Sequence, residues 1–318
     1  MQENVDIKPL TTFGVGGKVK WYLRVSTPEE LVDSYLKAIT YNSRRKVGTP
    51  TKASGLLIMS GGSNVVFPDK TYPGLLIHYL ANTEDRPRII RGRSSVTCEA
   101  GLPLAKLVSF AINNNLAGLE ALSGIPGTVG GAIVGNAGAY GQAISDKITK
   151  VEVFNPSHPL SFGEGRGGVG RAGVEWITKK DCHFAYRHSL IKDKNWLVLR
   201  VIFNLEKGDK KELLKKSKEI IKIRNTKYVP GTKCPGSYFK NVLVEKVSAE
   251  ALAKIDQSKI RDGKIPAGYL LEEAGAKGLH IGEALVANFH GNLIINEGHA
   301  TYADVRALAE KLKKLVQK

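Results

Sequence analysis

The placement of glycine constrains this chain more than any other feature. Of its 34 glycines, 22 gather at 14–17, 61–62, 124–141, 163–173 and 275–291. Residues without a side chain neither fill a core nor sustain a long helix, because glycine loses the most backbone freedom on folding. A fold of short elements and many turns follows. Between the clusters, runs rich in Val, Ile, Leu and Tyr at 21–25, 56–59, 74–78, 89–90, 151–154 and 196–205 read as strands. Thr27-Pro28-Glu29-Glu30 supplies an N-cap, a proline at the first helical position and acids in the first turn, which predicts a helix reaching Ala38. Helices are also expected over 104–114, 210–223 and 302–316, the last capped by Thr301. The fold class is α+β with many short strands, not the even alternation of a doubly wound sheet. A junction is expected at 207–211, between an N-terminal region 1–207 (in two parts, near 1–75 and 76–207) and a C-terminal domain 208–318. The Gly-rich stretch 156–173 has almost no large apolar residues and reads as a surface excursion.

Composition excludes several classes. With 42% hydrophobic and 24% charged residues over 318 positions, the chain can bury a core and is not compositionally disordered. No run of eighteen apolar residues occurs, and the first ten residues lack an apolar signal region, so neither a membrane span nor a secretory leader is expected. Three scattered cysteines, Cys98, Cys182 and Cys234, make neither a disulfide framework nor a zinc module, which points to the cytoplasm. The net charge of +17 divides into +8 over 1–206 and +9 over 207–318. Most of it alternates with acids, as in Lys215-Lys216-Ser217-Lys218-Glu219, the pattern of a solvated helix face. No nucleic-acid recognition module accompanies it.

Among short motifs, Gly163-x-Gly165-x-x-Gly168 matches the dinucleotide fingerprint only formally, since no strand leads into it and no periodic helix follows. No P-loop, HExxH or GxSxG is present. Ser60-Gly61-Gly62-Ser63-Asn64 directly follows a strand, where backbone N–H groups of a turn can converge on a phosphate, although an ordinary tight turn explains the spacing equally well. Ser123-Gly124-Ile125-Pro126-Gly127-Thr128-Val129-Gly130-Gly131-Ala132 and Asn136-Ala137-Gly138-Ala139-Tyr140-Gly141 are harder to explain by helix or strand propensity. A backbone lying against a flat or charged ligand explains them better. Together these loops suggest a dinucleotide-like cofactor held without a Rossmann fingerprint. Tyr186-Arg187-His188-Ser189 and Gly236-Ser237-Tyr238-Phe239-Lys240-Asn241 add polar groups suited to an anionic reaction centre. No spacing of His, Cys or carboxylates makes a metal site.

These segments, in order and preceded by Leu10-Thr11-Thr12-Phe13-Gly14-Val15-Gly16-Gly17, resemble the MurB family of UDP-N-acetylenolpyruvoylglucosamine reductases. Tyr186-Arg187-His188-Ser189 resembles its YRxS motif, and Gly236-Ser237-Tyr238-Phe239-Lys240-Asn241 its GSxFKN motif. Residues 270–278, with Asn296-Glu297-Gly298-His299-Ala300-Thr301 and Asp304-Val305, are similar to its C-terminal domain. The resemblance implies an FAD-binding fold of the vanillyl-alcohol-oxidase (PCMH) type in two subdomains, followed by a substrate-binding domain. It implies non-covalent FAD, NADPH as electron donor, and a UDP-sugar bearing an enolpyruvyl ether as substrate, reduced to UDP-N-acetylmuramate in peptidoglycan precursor synthesis. A cytoplasmic monomer with no nucleic-acid or membrane partner is expected.

By the same resemblance, Arg187 and Ser237 are the catalytic residues. Cofactor binding falls to Ser60, Gly61, Gly62, Ser63, Asn64, Gly124, Ile125, Pro126, Gly127, Thr128, Gly130, Gly131, Ala132, Asn136 and Gly138. Substrate binding falls to Tyr186, Arg224, Lys240 and Asn241. The sequence departs from the family at Lys233-Cys234-Pro235, where the family has Pro-Ser-Ala before its Gly-Ser. The resemblance also implies a short strand with a catalytic glutamate after the helix at 302–316, and the sequence stops at Lys318. Glu272, Glu273 and Glu297 match other positions. An impaired flavoprotein or a UDP-sugar-binding module of the same fold is therefore the alternative reading.

Overall fold

A computed structural model describes residues 1–44, 55–82, 84–85, 87–90, 94–157 and 173–317. The Gly163-to-Gly168 pattern and most of the expected excursion 156–173 lie outside them. The chain forms two compact units and passes between them five times. The first holds Met1–Gln2, Trp21–Gly61 and Gly74–Ile223, and the second Glu3–Lys20, Gly62–Pro73 and Arg224–Lys318. The division thus falls beyond the junction expected at 207–211, where one continuous helix, Lys210–Lys227, already runs.

Strands β1 (Gln2–Asp6), β2 (Lys18–Val25), β3 (Leu56–Met59) and β4 (Tyr72–Tyr79) form a sheet in the order β1-β2-β4-β3, with β3 and β4 parallel. Helix α1 (Pro28–Arg44) lies between β2 and β3 in sequence. It opens as the sequence predicts: the Thr27 hydroxyl accepts from Glu30 N–H at 3.1 Å, and the Glu30 carboxylate accepts from Thr27 N–H at 3.3 Å. An antiparallel sheet follows, built from β5 (Arg88–Ile90), β6 (Ser95–Glu99), β7 (Ile148–Phe154), β8 (Val174–Thr178) and β9 (Leu197–Asn204) in the order β8-β7-β9-β6-β5. Helix α2 (Leu104–Asn113) buries Leu104, Leu107, Val108, Ala111 and Ile112, one stripe at helical spacing. These join Val96, Val151, Val153, Val201 and Phe203 in the core of the first unit.

The short helix α3 (Val129–Val134) stands inside the glycine segment, where the sequence predicts neither helix nor strand. Thr128 caps it, and Val129 and Ile133 are fully buried, so packing overrides the low propensity of Gly130 and Gly131. The long helix Lys210–Lys227 is α4.

The second unit centres on helix α5 (Ala267–Glu273), the small antiparallel sheet β10 (His280–Ile281), β11 (Ala284–Val286) and β12 (Ile294–Asn296), and helix α6 (Tyr302–Val316). Thr301 and Asp304 close a reciprocal cap on α6. Val305, Leu308, Ala309 and Leu312 pack with Ala284, Val286 and Ile294. Phe13 and Val15 enter the same core from the start of the chain. Asn296 fastens them. Its amide donates to the carbonyls of Phe13 and Gly14, both at 3.1 Å, and its Oδ1 accepts from Gly298 and Ala300 N–H.

Candidate active site

In the first unit, the turn after β3 abuts the segment leading into α3. A Cβ on Gly61 would lie 2.6 Å from the Gly127 Cα and 3.2 Å from the Thr128 nitrogen, so backbone meets backbone without room for a side chain. The Ser60 and Thr128 hydroxyls are hydrogen-bonded at 2.7 Å. Behind them, His78 on β4 holds the turn. One ring nitrogen meets the Ser60 carbonyl at 2.9 Å and the other the Tyr22 hydroxyl at 2.8 Å. The carbonyl can only accept, so Nε2 carries the proton and Nδ1 accepts from the tyrosine. Burial pushes the His78 pKa below its ordinary value, which favours this neutral form. Among the described residues, the N–H groups of Gly61, Gly127 and Thr128 have no acceptor.

Gly130 and Gly131 differ. A Cβ on Gly130 would come within 2.8 Å of the Ala100 Cβ, so its missing side chain is taken up by protein packing. Gly131 is exposed, and a Cβ there would meet nothing nearer than 3.5 Å. Ala132 is buried in the core, and Ile125 packs against it. Gly124 and Gly127 have φ of +73° and +103°, backbone states that glycine adopts without strain. In the second unit, Gly62 has φ +60°, and a Cβ on it would lie 2.1 Å from the Leu10 carbonyl oxygen. Gly62 O accepts from Thr12 N–H there, while Ser63 O lies 3.5 Å from the Thr12 hydroxyl and Asn64 is exposed.

Tyr186-Arg187-His188-Ser189 forms a tight turn closed by paired backbone bonds between Ala185 and His188. Arg187 sits at its tip with φ +54°, a conformation that costs a non-glycine residue energy and that the surroundings must enforce. Its guanidinium donates to the carbonyls of Asn136 at 3.4 Å and Gly138 at 3.3 Å and stacks on the Tyr186 ring. Asn136, itself at φ +41°, returns a bond from its amide to the Ala185 carbonyl at 3.0 Å. Ser189 is fully buried and donates to Val134 O at 2.8 Å. The YRxS turn and the Asn136-to-Gly138 segment are therefore one assembly. Two of the five guanidinium donors engage these carbonyls.

In the second unit, Ser237 is exposed and its hydroxyl lies 2.8 Å from the Tyr228 hydroxyl. The following residues are clamped by Asn292. Tyr238 N–H donates to its carbonyl at 2.9 Å, Phe239 N–H donates to its Oδ1 at 2.8 Å, and its amide donates to Phe239 O. The Tyr228 ring contacts the Arg224 guanidinium at 5.1 Å and the His290 ring edge at 6.2 Å. His290 in turn lies 3.5 Å from Glu272, which also pairs with Lys277 at 2.9 Å. Asn241 accepts from Ala267 N–H at 3.2 Å, at the start of α5, and Lys240 is exposed. Burial raises the Cys234 thiol above its usual range, so it is not an activated nucleophile. His78, Tyr228 and Asn292 were not legible as site residues. The signal for each is a contact between segments distant in sequence.

Comparison with known proteins places the chain in a family. Residues 51–157 match the model of an FAD binding domain, and residues 229–318 that of the UDP-N-acetylenolpyruvoylglucosamine reductase C-terminal domain. The UDP-N-acetylenolpyruvoylglucosamine reductase of Solibacter usitatus is 34% identical over 304 residues, which cover 95% of this chain and 88% of that protein. The enzyme of the same name from Caldanaerobacter subterraneus is 31% identical over 314 residues, covering 99% and 88%. The crystal structure of MurB from Thermus caldophilus superimposes with a TM-score of 0.70 at 29% identity, covering 98% of this chain and 94% of that one. The fold is thus α+β with an FAD-binding region of the vanillyl-alcohol-oxidase type. With glycine loops, YRxS turn and Ser237 segment all found in one chain, and near full-length similarity around them, the protein belongs to the UDP-N-acetylenolpyruvoylglucosamine reductase (MurB) family of FAD-dependent oxidoreductases.

Proposed function

We propose that this protein reduces UDP-N-acetylenolpyruvoylglucosamine to UDP-N-acetylmuramate at the expense of NADPH, in the cytoplasmic synthesis of peptidoglycan precursors. The observation that carries the reading is Arg187: an arginine forced into a left-handed backbone and tied by its guanidinium to Asn136 and Gly138. A surface arginine has no use for such constraint, whereas a charge that must be in place before negative charge develops does.

The glycine surface of the first unit fits FAD. Unpaired N–H groups of Gly61, Gly127 and Thr128 suit a diphosphate, and Gly131 presents exposed backbone that a side chain would cover. Ser60, Gly62, Ser63, Asn64, Gly124, Ile125, Pro126, the Gly130-to-Ala132 segment, Asn136 and Gly138 complete the proposed cofactor residues, and no histidine in either loop offers covalent attachment. When bound, FAD supplies hydride transfer from NADPH to the enolpyruvyl carbon. The chain's own residues do the rest. Hydride addition leaves negative charge on the neighbouring carbon and its carboxylate, and Arg187 stabilises that enolate through a charged hydrogen bond. Ser237 delivers the proton that completes the new C–H bond. Tyr186, Arg224, Lys240 and Asn241 hold the UDP-sugar, the cations toward its diphosphate.

The test is to separate the two halves of the reaction. Arg187→Ala and Ser237→Ala should each leave bleaching of the flavin by NADPH near normal and slow its reoxidation by substrate roughly hundredfold or more. Slow bleaching with normal reoxidation would show that these residues serve the other half.

A further inference from the structure

Serine is a poor acid. When Ser237 gives its proton to carbon, an alkoxide forms unless another group reprotonates the oxygen. The only side chain hydrogen-bonded to the Ser237 hydroxyl among the described residues is the Tyr228 hydroxyl, at 2.8 Å. We propose that Tyr228 is the proton reserve of Ser237, a positioning and relay residue for the protonation step. This rests on Ser237 being the proton donor.

The step balances. As the Ser237 Oγ–H bond breaks toward the substrate carbon, the Tyr228 Oη–H bond breaks toward Oγ. Serine ends neutral, the substrate gains one C–H bond, and the negative charge rests on the Tyr228 oxygen until water reprotonates it. No oxidant or reductant enters. A phenol is a far stronger acid than an aliphatic hydroxyl because its anion is delocalised over the ring. That ring lies 5.1 Å from the Arg224 guanidinium, which attracts the developing charge. The edge of His290 contacts its other side, at 6.2 Å between centroids. Burial depresses the His290 pKa, against the opposing influence of Glu272, while Lys227 and Lys277 also disfavour a second positive charge there. The charges facing Tyr228 and its His290 neighbour are thus Arg224, Lys227, Lys277 and Glu272.

Geometry supports a fixed relay. Tyr228 closes the last turn of α4, its N–H donating to Arg224 O at 2.8 Å, and the chain then returns to Ser237 nine residues later. Asn292 pins Tyr238 and Phe239 immediately beyond. The serine is therefore held on one side by Asn292 through its neighbours and on the other by Tyr228 directly.

Tyr228→Phe removes only the hydroxyl and keeps the ring between Arg224 and His290. It should leave flavin bleaching by NADPH and the apparent Kd for substrate unchanged while slowing reoxidation by substrate roughly ten- to hundredfold. The alkaline limb of the reoxidation pH profile should disappear. Incorporating 3-fluorotyrosine at 228, a more acidic phenol, should restore the rate and move that limb to lower pH, which a packing role would not do. A readout independent of turnover is the fluorine resonance of that residue in flavin-free protein, which should shift when Ser237→Ala is added. If Ser237→Ala slows reoxidation but Tyr228→Phe does not, the relay is overturned and the serine's role stands. If Ser237→Ala itself reoxidises normally, the serine's role falls and the relay with it.

Discussion

Replacing Gly131 with alanine separates a glycine needed by the protein from one needed by its cofactor. The position lies in α3 and is exposed, and the added methyl would meet only the Thr128 and Ser60 hydroxyl oxygens at 3.5 and 3.6 Å, ordinary contacts. Alanine in place of glycine inside a helix gains about 0.5–1 kcal/mol, so flavin-free protein should keep or slightly raise its melting temperature. If FAD lies on that surface, the methyl must intrude on it. Overpacking of this kind costs about 1–3 kcal/mol, or roughly five- to 150-fold in Kd. Gly130→Ala should behave in the opposite way. Its methyl would lie 2.8 Å from the Ala100 Cβ and 3.1 Å from the Ala100 carbonyl oxygen, so apoprotein stability should fall by about 1–3 kcal/mol. Thermal melts of flavin-free protein, together with titration by FAD fluorescence quenching, read both quantities. An unchanged FAD affinity in Gly131→Ala would remove the cofactor from this surface.

Three further outcomes follow from the geometry. Burial depresses His78 and His290 in the folded protein, so below about pH 6.5 the unfolded chain binds protons that the folded one does not. Stability is therefore complete above that pH and should decline as pH falls through 6 toward 5. His78→Gln should flatten part of this decline in melts recorded across that range. Asn296→Ala strands the carbonyls of Phe13 and Gly14 and the amides of Gly298 and Ala300, and should cost about 2–4 kcal/mol in urea unfolding. Gly62→Ala places a methyl 2.1 Å from a backbone oxygen at φ +60°, and should lower the melting temperature of flavin-free protein more than Gly131→Ala does.

Where the sequence carries its own local signal, its reading matches the structure. Thr27, Pro28 and Glu30 set the start of α1, and Thr301 with Asp304 sets that of α6, because capping needs only residues three apart. The far end of α1 differs from the expectation. It runs to Arg44, beyond the expected Ala38, since nothing after Ala38 supplies a glycine or proline stop before Gly48. Strand β6, Ser95-Val96-Thr97-Cys98-Glu99, carries little local strand signal because its small polar residues alternate with only two core positions. Its place comes from pairing with β5 and β9 on either side. The split of the chain into units was the least legible feature. Residues 3–20 and 62–73 join the C-terminal unit through contacts such as Asn296 with Phe13 and Tyr302 with Asp69, which no local pattern announces. The same holds for the site. The motifs single out Arg187 and Ser237 as candidates, but the left-handed backbone of the first and the tyrosine partner of the second are tertiary facts.

In the proposed function, this chain passes hydride from NADPH to an enolpyruvyl ether and then protonates the product. The direct measurement is a single turnover without oxygen. Flavin-loaded protein is bleached with one equivalent of NADPH, then mixed with UDP-N-acetylenolpyruvoylglucosamine in deuterated water while flavin absorbance is followed. The expected result is full return of absorbance with one equivalent of UDP-N-acetylmuramate, carrying deuterium at the carbon protonated from the protein. Flavin that stays bleached until air is admitted, with the enolpyruvyl sugar recovered unchanged, would contradict it.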